Sequence, residues 1–391
     1  MYTPFTSKHF TSYTDESGIR ISVLETRVEG VQQVIYFVNS GYTNDGRYLW
    51  FMVTDPESSN TYVANIDFLT DEIQIFPDVK GTGHYVDLET GDIYWSCSRG
   101  IMRHSPRQDD ESVLVAAMPS KFAEAGSKGV MCHLTPTPDK RELLTEYGAN
   151  GAYYIGSVNI ENGVYTQWLK VDDGGNYDHV QCSPTDANLV MFAREMWNGE
   201  KLCVEPVYID GIFPRIQFAT RSAQHHIIRL AGNDGGHEWF APDGKSVYHV
   251  NNNFENKGYG VVAKCSIYGG EPEIILKAST EEGCNHVWHA YCSEDEELFV
   301  FDGTLPSKGL PVWRGCASTV QFFNKRTGKY FRFLTCNPAL DDWSPENQCK
   351  YHIDPHPRFV MQDKDITFTT TVKGKVDLAV ADVSDLIEAT K

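Results

Sequence analysis

One phrase recurs down the whole chain: an apolar run, a tight polar turn, then a second apolar run. It is plainest in WFAPDGKSVYHV, Trp239 to Val250, where Asp243-Gly244 forms the turn. Six relatives can be laid beside it: Tyr42 to Val53, Tyr85 to Ser98, Leu134 to Tyr147, Val180 to Arg194, Ala290 to Gly303 and Pro357 to Thr371. Most are followed by a second pair of apolar runs around a polar turn, as in TYVANIDFLTDEIQIF and VVAKCSIYGGEPEIIL. Runs rich in Val, Ile, Tyr, Phe and Trp, bounded by Gly, Asp, Asn and Pro, are the pattern of short antiparallel strands. Helical spacing is scarce; Pro119 to Ala125 and Ser384 to Thr390 are the best candidates, and both are short.

Four strands per unit, repeating about every 45 to 70 residues, predict an all-β fold: a seven-bladed β-propeller of four-stranded antiparallel blades. A lone blade has two apolar faces and cannot bury both. Packing blades radially solves this, and closing the ring removes the need for caps. Gly18 to Arg27 (GIRISVLETR) has no turn unit of its own, so it is expected to add a strand to the final blade and close the ring. No linker or low-complexity stretch interrupts the pattern, which predicts one domain over residues 1–391. The fourth unit is the least regular, between Asn198 and Thr220.

The net charge of −19 argues against a nucleic-acid partner, since neutralising phosphates needs a basic surface, and against adhesion to anionic membrane. A small anionic substrate stays compatible with it, provided a metal or a few arginines reverse the field locally. Ten cysteines are scattered with no C-x-x-C pair, which points to free thiols in a reducing compartment. With no signal-peptide pattern at the first residues, the cytoplasm is the expected location. Oligomeric state leaves no mark in the sequence.

Counting back six or seven residues from each turn reveals a second regularity. His84, His133, His179, His237, His289 and His356 occupy this place in six units, and Asn39 in the first. In a propeller the first strand of each blade is innermost, so these positions open onto the central channel. Glycine-rich loops (GTGH, DDGGNYDH, NDGGH, EEGCNH) precede four of the histidines and let a ligand approach the backbone. A single histidine entering a strand is commonly structural; six at one register point to a functional cluster. Neutral imidazoles ligate divalent metals and serve as general bases. NQCKYHIDPHPRF adds Gln348, His352 and Asp354 next to His356. Alternate residues of an extended strand share a face, so His352, Asp354 and His356 are able to point the same way. Imidazole, carboxylate and amide oxygen together suit manganese better than a thiolate-type zinc site, with calcium or zinc as the other options.

These residues resemble oligogalacturonate lyases, seven-bladed propeller enzymes that degrade short pectin-derived uronides. TSYTDESGIRISVL is similar to the family's opening strand, GYTNDGRYLWF to its first turn unit, and GHEWFAPDGKSVYHV to the stretch carrying its catalytic base. WHAYCSEDEELFVFDG and DPHPRFVMQDKDITFTTT are similar to its metal segments. The resemblance implies that His237 is the base and that His289 and His356 are metal ligands. The first histidine of the family's H-P-H-P motif falls on Asp354, with His352 two residues earlier, and its glutamine falls near Gln348. Its carboxylate-binding arginine falls on Arg194 or Arg221, and His84, His133 and His179 are left as substrate-binding groups.

The function so implied is β-elimination from an acidic oligosaccharide, with a histidine removing the C5 proton and a divalent metal stabilising the charge that develops beside the carboxylate. Two other classes share the fold: a glycoside hydrolase, and a non-catalytic carbohydrate-binding propeller. For the hydrolase the sequence shows no clear carboxylate pair, and strand alternation predicts that Glu238 turns away from the channel.

Overall fold

The recurring turn has a common chemistry. Asp45, Asp139, Asp186, Asp243 and Asp295 each accept a hydrogen bond on Oδ1 from the backbone N–H two residues on, at 2.8 to 3.1 Å. Thr43, Thr137 and Ser293 add a hydroxyl donor to the same oxygen at 2.7 Å. Such side-chain turns reverse the chain locally, which is why they repeat legibly in sequence.

The computed structural model describes residues 1–28, 30–55, 61–195, 197–198, 201–202, 215–228, 235–252, 259–278, 286–304, 318–336 and 354–391. Seven sheets form the blades of the propeller, and a short hairpin pairs Trp197–Asn198 with Lys201–Leu202. Six blades have four strands in chain order from the axis outwards; the blade of Gly235–Phe240, Ser246–Asn251, Val261–Ser266 and Glu273–Lys277 is typical. The last blade has five strands. Arg20–Leu24 pairs with Asp377–Asp382, as expected, and Phe10–Thr14 then adds a further outer strand. Among the described residues the helices are Ser120–Glu124 and Val383–Ala389.

Packing explains the ring. The described apolar core falls into seven clusters, one between each pair of neighbouring blades. Trp50, Phe76, Ile93 and Trp95 join the first and second blades. Leu24, Val380, Tyr42 and Phe51 join the last to the first. Fully burying a residue of this size contributes roughly 1.5–3 kcal/mol, and here each side chain does so only because a neighbouring blade covers it. Cys97, Cys132, Cys182, Cys265 and Cys292 are free thiols.

Two departures from regular pairing aim side chains at the axis. In the inner strands Thr82–Val86, Asn176–Cys182 and Gly235–Phe240, one extra residue forms a bulge. Each bulge contains a residue at positive φ: Gly83 at 71°, His179 at 58° and His237 at 51°. Bulges re-aim the strand and its side chains. The first blade departs further. Gln33 pairs with Met52 and Tyr42 bridges Leu49, so residues 34–41 have only Trp50 and Phe51 opposite them. This excursion carries Tyr36 and Phe37 into the channel. A Cβ on Gly41 would lie 2.5 Å from the Trp50 carbonyl oxygen, so a glycine is needed where the chain rejoins the sheet.

Candidate active site

Tyr36 sits at the hub. Its ring centre lies 5.6 Å from that of His133, 5.8 Å from His179, 6.3 Å from His289 and 5.1 Å from His356. Phe37, packed at 4.9 Å beside it, also faces His289. The excursion is pinned where Arg358 Nη1 donates to the Phe37 carbonyl at 2.6 Å. Asn39, expected at the channel in this blade, instead donates through Nδ2 to the carbonyls of His84 and Leu134, tying blades together.

The inward histidines divide into groups. His237, His289 and His356 form a chain, with ring centres 4.4 Å apart for the first pair and 4.1 Å for the second. His289, Asp354 and His356 each offer one donor atom, all within 4.8 Å of one another. Behind them lies Asp302, buried in strand Leu298–Thr304. It accepts from the His289 backbone N–H at 2.6 Å, from His289 Nδ1 at 3.0 Å and from the His356 backbone N–H at 3.3 Å. With Nδ1 so engaged, His289 presents Nε2 outwards, the arrangement in which a carboxylate orients a metal-ligating imidazole. Two imidazoles and a carboxylate fit a borderline divalent cation such as manganese. Asp302 left a signal in the sequence, a lone carboxylate inside the apolar run LFVFDG. Gln348 and His352 lie outside the described residues.

His237 is partly buried, and its Nδ1 has no hydrogen-bond partner among the described residues. Burial, then His289 and Arg215, hold its pKa well below the ordinary histidine value, so the ring is neutral. Trp288 meets it edge-on at 6.1 Å. Trp239 stacks on Tyr248 within the core between blades.

The next arc is ionic. His179 Nδ1 lies 3.1 Å from Glu238 Oε1, and Asp178 and Glu195 approach the same nitrogen at 3.7 and 3.8 Å. Arg215 bridges Glu238 at 3.0 Å and Glu195 at 2.8 Å. Burial alone would raise Glu238, yet Arg215 and His179 hold it well below the usual carboxylate range. For His179 burial opposes charge, and Asp178 foremost among its neighbours raises the pKa well above the ordinary value. The expected outward turn of Glu238 is therefore corrected: the bulge at His237 adds one residue and reverses the alternation, so Glu238 is buried inward.

Arg215, just before strand Ile216–Thr220, is the arginine brought to this cluster. Arg194 pairs with Asp173 at 2.8 Å and lies over Tyr177. Arg221 pairs with Glu142 at 2.7 Å and lies over Trp168, at the turn end of its blade. His133 stacks on both Tyr36 and His179, the three rings forming a triangle, and burial, followed by the His179 charge, lowers it to about 3. His84 falls one residue past the bulge position that His179 and His237 occupy, since Gly83 takes that place. It is buried, which lowers it to about 4.

No protein-family model matches the chain. An oligogalacturonate lyase from Dickeya dadantii (strain 3937) is 25% identical over 264 residues, which span 64% of this chain and 61% of that protein. The solved structure of an oligogalacturonate lyase in complex with manganese superimposes with a TM-score of 0.72, covering 98% of both chains at 18% identity. That of an oligogalacturonate lyase from Vibrio parahaemolyticus gives 0.70, covering 96% of both at 17% identity. The fold is thus shared with the two solved structures over nearly the whole chain, and the sequence likeness to the Dickeya dadantii protein reaches about two thirds of it.

Proposed function

We propose that this protein is a lyase that cleaves uronic-acid-containing oligosaccharides by metal-assisted β-elimination. The observation that carries the reading is the packing of neutral His237 directly on His289, which shares a donor cluster with Asp354 and His356. The likeness to oligogalacturonate lyases supports the substrate class.

A divalent ion, manganese in the first place, would be held by His289, Asp354 and His356 and would supply positive charge against the uronate carboxylate. The chain does the rest. Asp302 keeps His289 in the tautomer that leaves Nε2 available. Nδ1 of His237 takes the C5 proton, a contribution of roughly 10² to 10⁴-fold for a well-placed general base. The Arg215 guanidinium, already between two carboxylates, keeps the neighbouring acidic cluster from repelling an anionic substrate. His133 and His179 line the substrate side of the channel, with Tyr36 between them and the donor cluster.

A second reading, glycoside hydrolysis, rests on one observation. Burial, with Glu195 and Glu146 nearby, pushes Asp178 above the usual carboxylate range against the pull of His179. Glu195 is instead lowered, because Arg215 and His179 outweigh its burial. Two carboxyl groups with divergent pKa values are what an acid and its partner need. Glu195 is occupied by Arg215, which favours the lyase.

The test is a panel of acidic oligosaccharides incubated with the protein and manganese. A lyase gives an unsaturated, ultraviolet-absorbing uronate, and chelation followed by manganese re-addition abolishes and restores that product. A saturated product establishes the hydrolase, and no product with retained binding establishes the carbohydrate-binding module.

A further inference from the structure

Elimination needs two proton movements, one from C5 to a base and one onto the oxygen that leaves C4. His237 supplies the first; the second needs a donor on the channel side of the donor cluster. The Tyr36 and Phe37 rings both pack against His289 and His356, Tyr36 at 6.3 and 5.1 Å, and of the two only Tyr36 carries a hydroxyl, which lies 3.4 Å from His179 Nε2. Its placement is built. Residues 34–41 leave the sheet to deliver it, Arg358 pins the Phe37 carbonyl, and the Asn39 N–H caps the Tyr36 carbonyl at 2.9 Å. A phenol carries its proton at neutral pH and is able to both donate and accept. The other ring nitrogen of His179 faces Glu238, which Arg215 fixes in turn, so Nε2 is the nitrogen turned to the hydroxyl.

We propose that Tyr36 is the proton donor to the departing sugar oxygen, with His179 as its positioning and reloading partner; this rests on the lyase reading above. In the step, the C5–H pair becomes the C4–C5 double bond as His237 takes the proton. The C4–O4 bond breaks with its electrons on O4, and O4 takes the proton from Tyr36 Oη. The phenolate regains a proton from His179 Nε2, and solvent carries the proton held on His237 back to His179. Nothing is oxidised or reduced.

The experiment compares the full-length protein and its Tyr36→Phe variant, both with manganese, on two substrates. One is a 4-O-linked uronide disaccharide; the other is the same uronide with fluoride in place of the sugar at C4. Fluoride leaves without needing a proton donor. The variant is expected to lose roughly 10² to 10⁴-fold in kcat on the disaccharide. On the fluoride substrate it should stay within about threefold of the parent, since no acid is being removed from that reaction. Manganese binding, read by electron paramagnetic resonance, and the melting temperature should not move. Retained turnover on the disaccharide overturns the proposal. So does an equal loss on both substrates, which would make Tyr36 a packing residue. A parent protein that forms no unsaturated product from either substrate overturns the lyase reading itself.

Discussion

On one arc of the channel, His289 and His356 lie ring against ring, with a single carboxylate, Asp302, behind both. On the neighbouring arc, His179 is ringed by Asp178, Glu195 and Glu238, and Arg215 spans two of these. Both arcs use histidines from the same place in the repeat. The first leaves imidazole lone pairs to give away, and the second stabilises an imidazolium. Strand position therefore fixes where a side chain points, while the residues in the second layer decide what it does.

The sharpest way to break this division is to remove His237, the neutral histidine between the arcs. His237→Ala should lower kcat by roughly 10² to 10⁴-fold while leaving manganese stoichiometry intact. Turnover near that of the parent would end its role as base. The ionic arc is tested by Glu238→Gln, which takes from Arg215 one of its two carboxylates and from His179 the nearest of its three. Urea unfolding at neutral pH should show a loss of about 3–5 kcal/mol, the scale for breaking a buried pair. The sign with pH follows from the lowered pKa of Glu238. Its contribution is fully present above the ordinary carboxylate range and is lost as pH falls through the folded value, so variant and parent should converge in acid. A constant gap down to low pH would contradict that.

The donor arc is tested more gently by Asp302→Asn. Manganese affinity, titrated calorimetrically, should fall about 10- to 100-fold, the range for a partner that orients a ligand. Unchanged affinity would reduce Asp302 to a structural role. The smallest effect is expected from Arg221→Ala, since this ion pair with Glu142 is partly exposed and at the turn end. Stability should change by less than about 1 kcal/mol and KM should hold. A large rise in KM would shift substrate recognition away from the ionic arc.

Much of the fold was legible because its signals are short-range. An aspartate capping the amide two residues on needs nothing from the rest of the chain, so Asp45, Asp139 and Asp243 announce their hairpins directly. Ring position was legible for His179, His237, His289 and His356 through the same count from the turn. The count failed where the backbone stops being periodic. The bulge at His237 reversed the facing of Glu238, and Gly83 took the place that counting gave to His84. Tyr36 was hidden for a related reason, since eight residues leave the sheet opposite two. Arg215 follows a long connection from the previous strand, and its partners come from elsewhere in the chain, which no local pattern records.

The last blade mixes both ends of the chain, Phe10–Thr14 and Arg20–Leu24 joining Asp377–Asp382. A ribosome makes Phe10–Thr14 and Arg20–Leu24 long before Asp377–Asp382, so the early strands must wait for their partner. Until then Arg20–Leu24 has an unpaired edge and the first blade has an uncovered apolar flank, both of which invite association with other chains. Closure of the ring is thus gated by synthesis of Asp377–Asp382. Nascent chains cut short before residue 377 are expected to depend on chaperones, however well their earlier blades have formed.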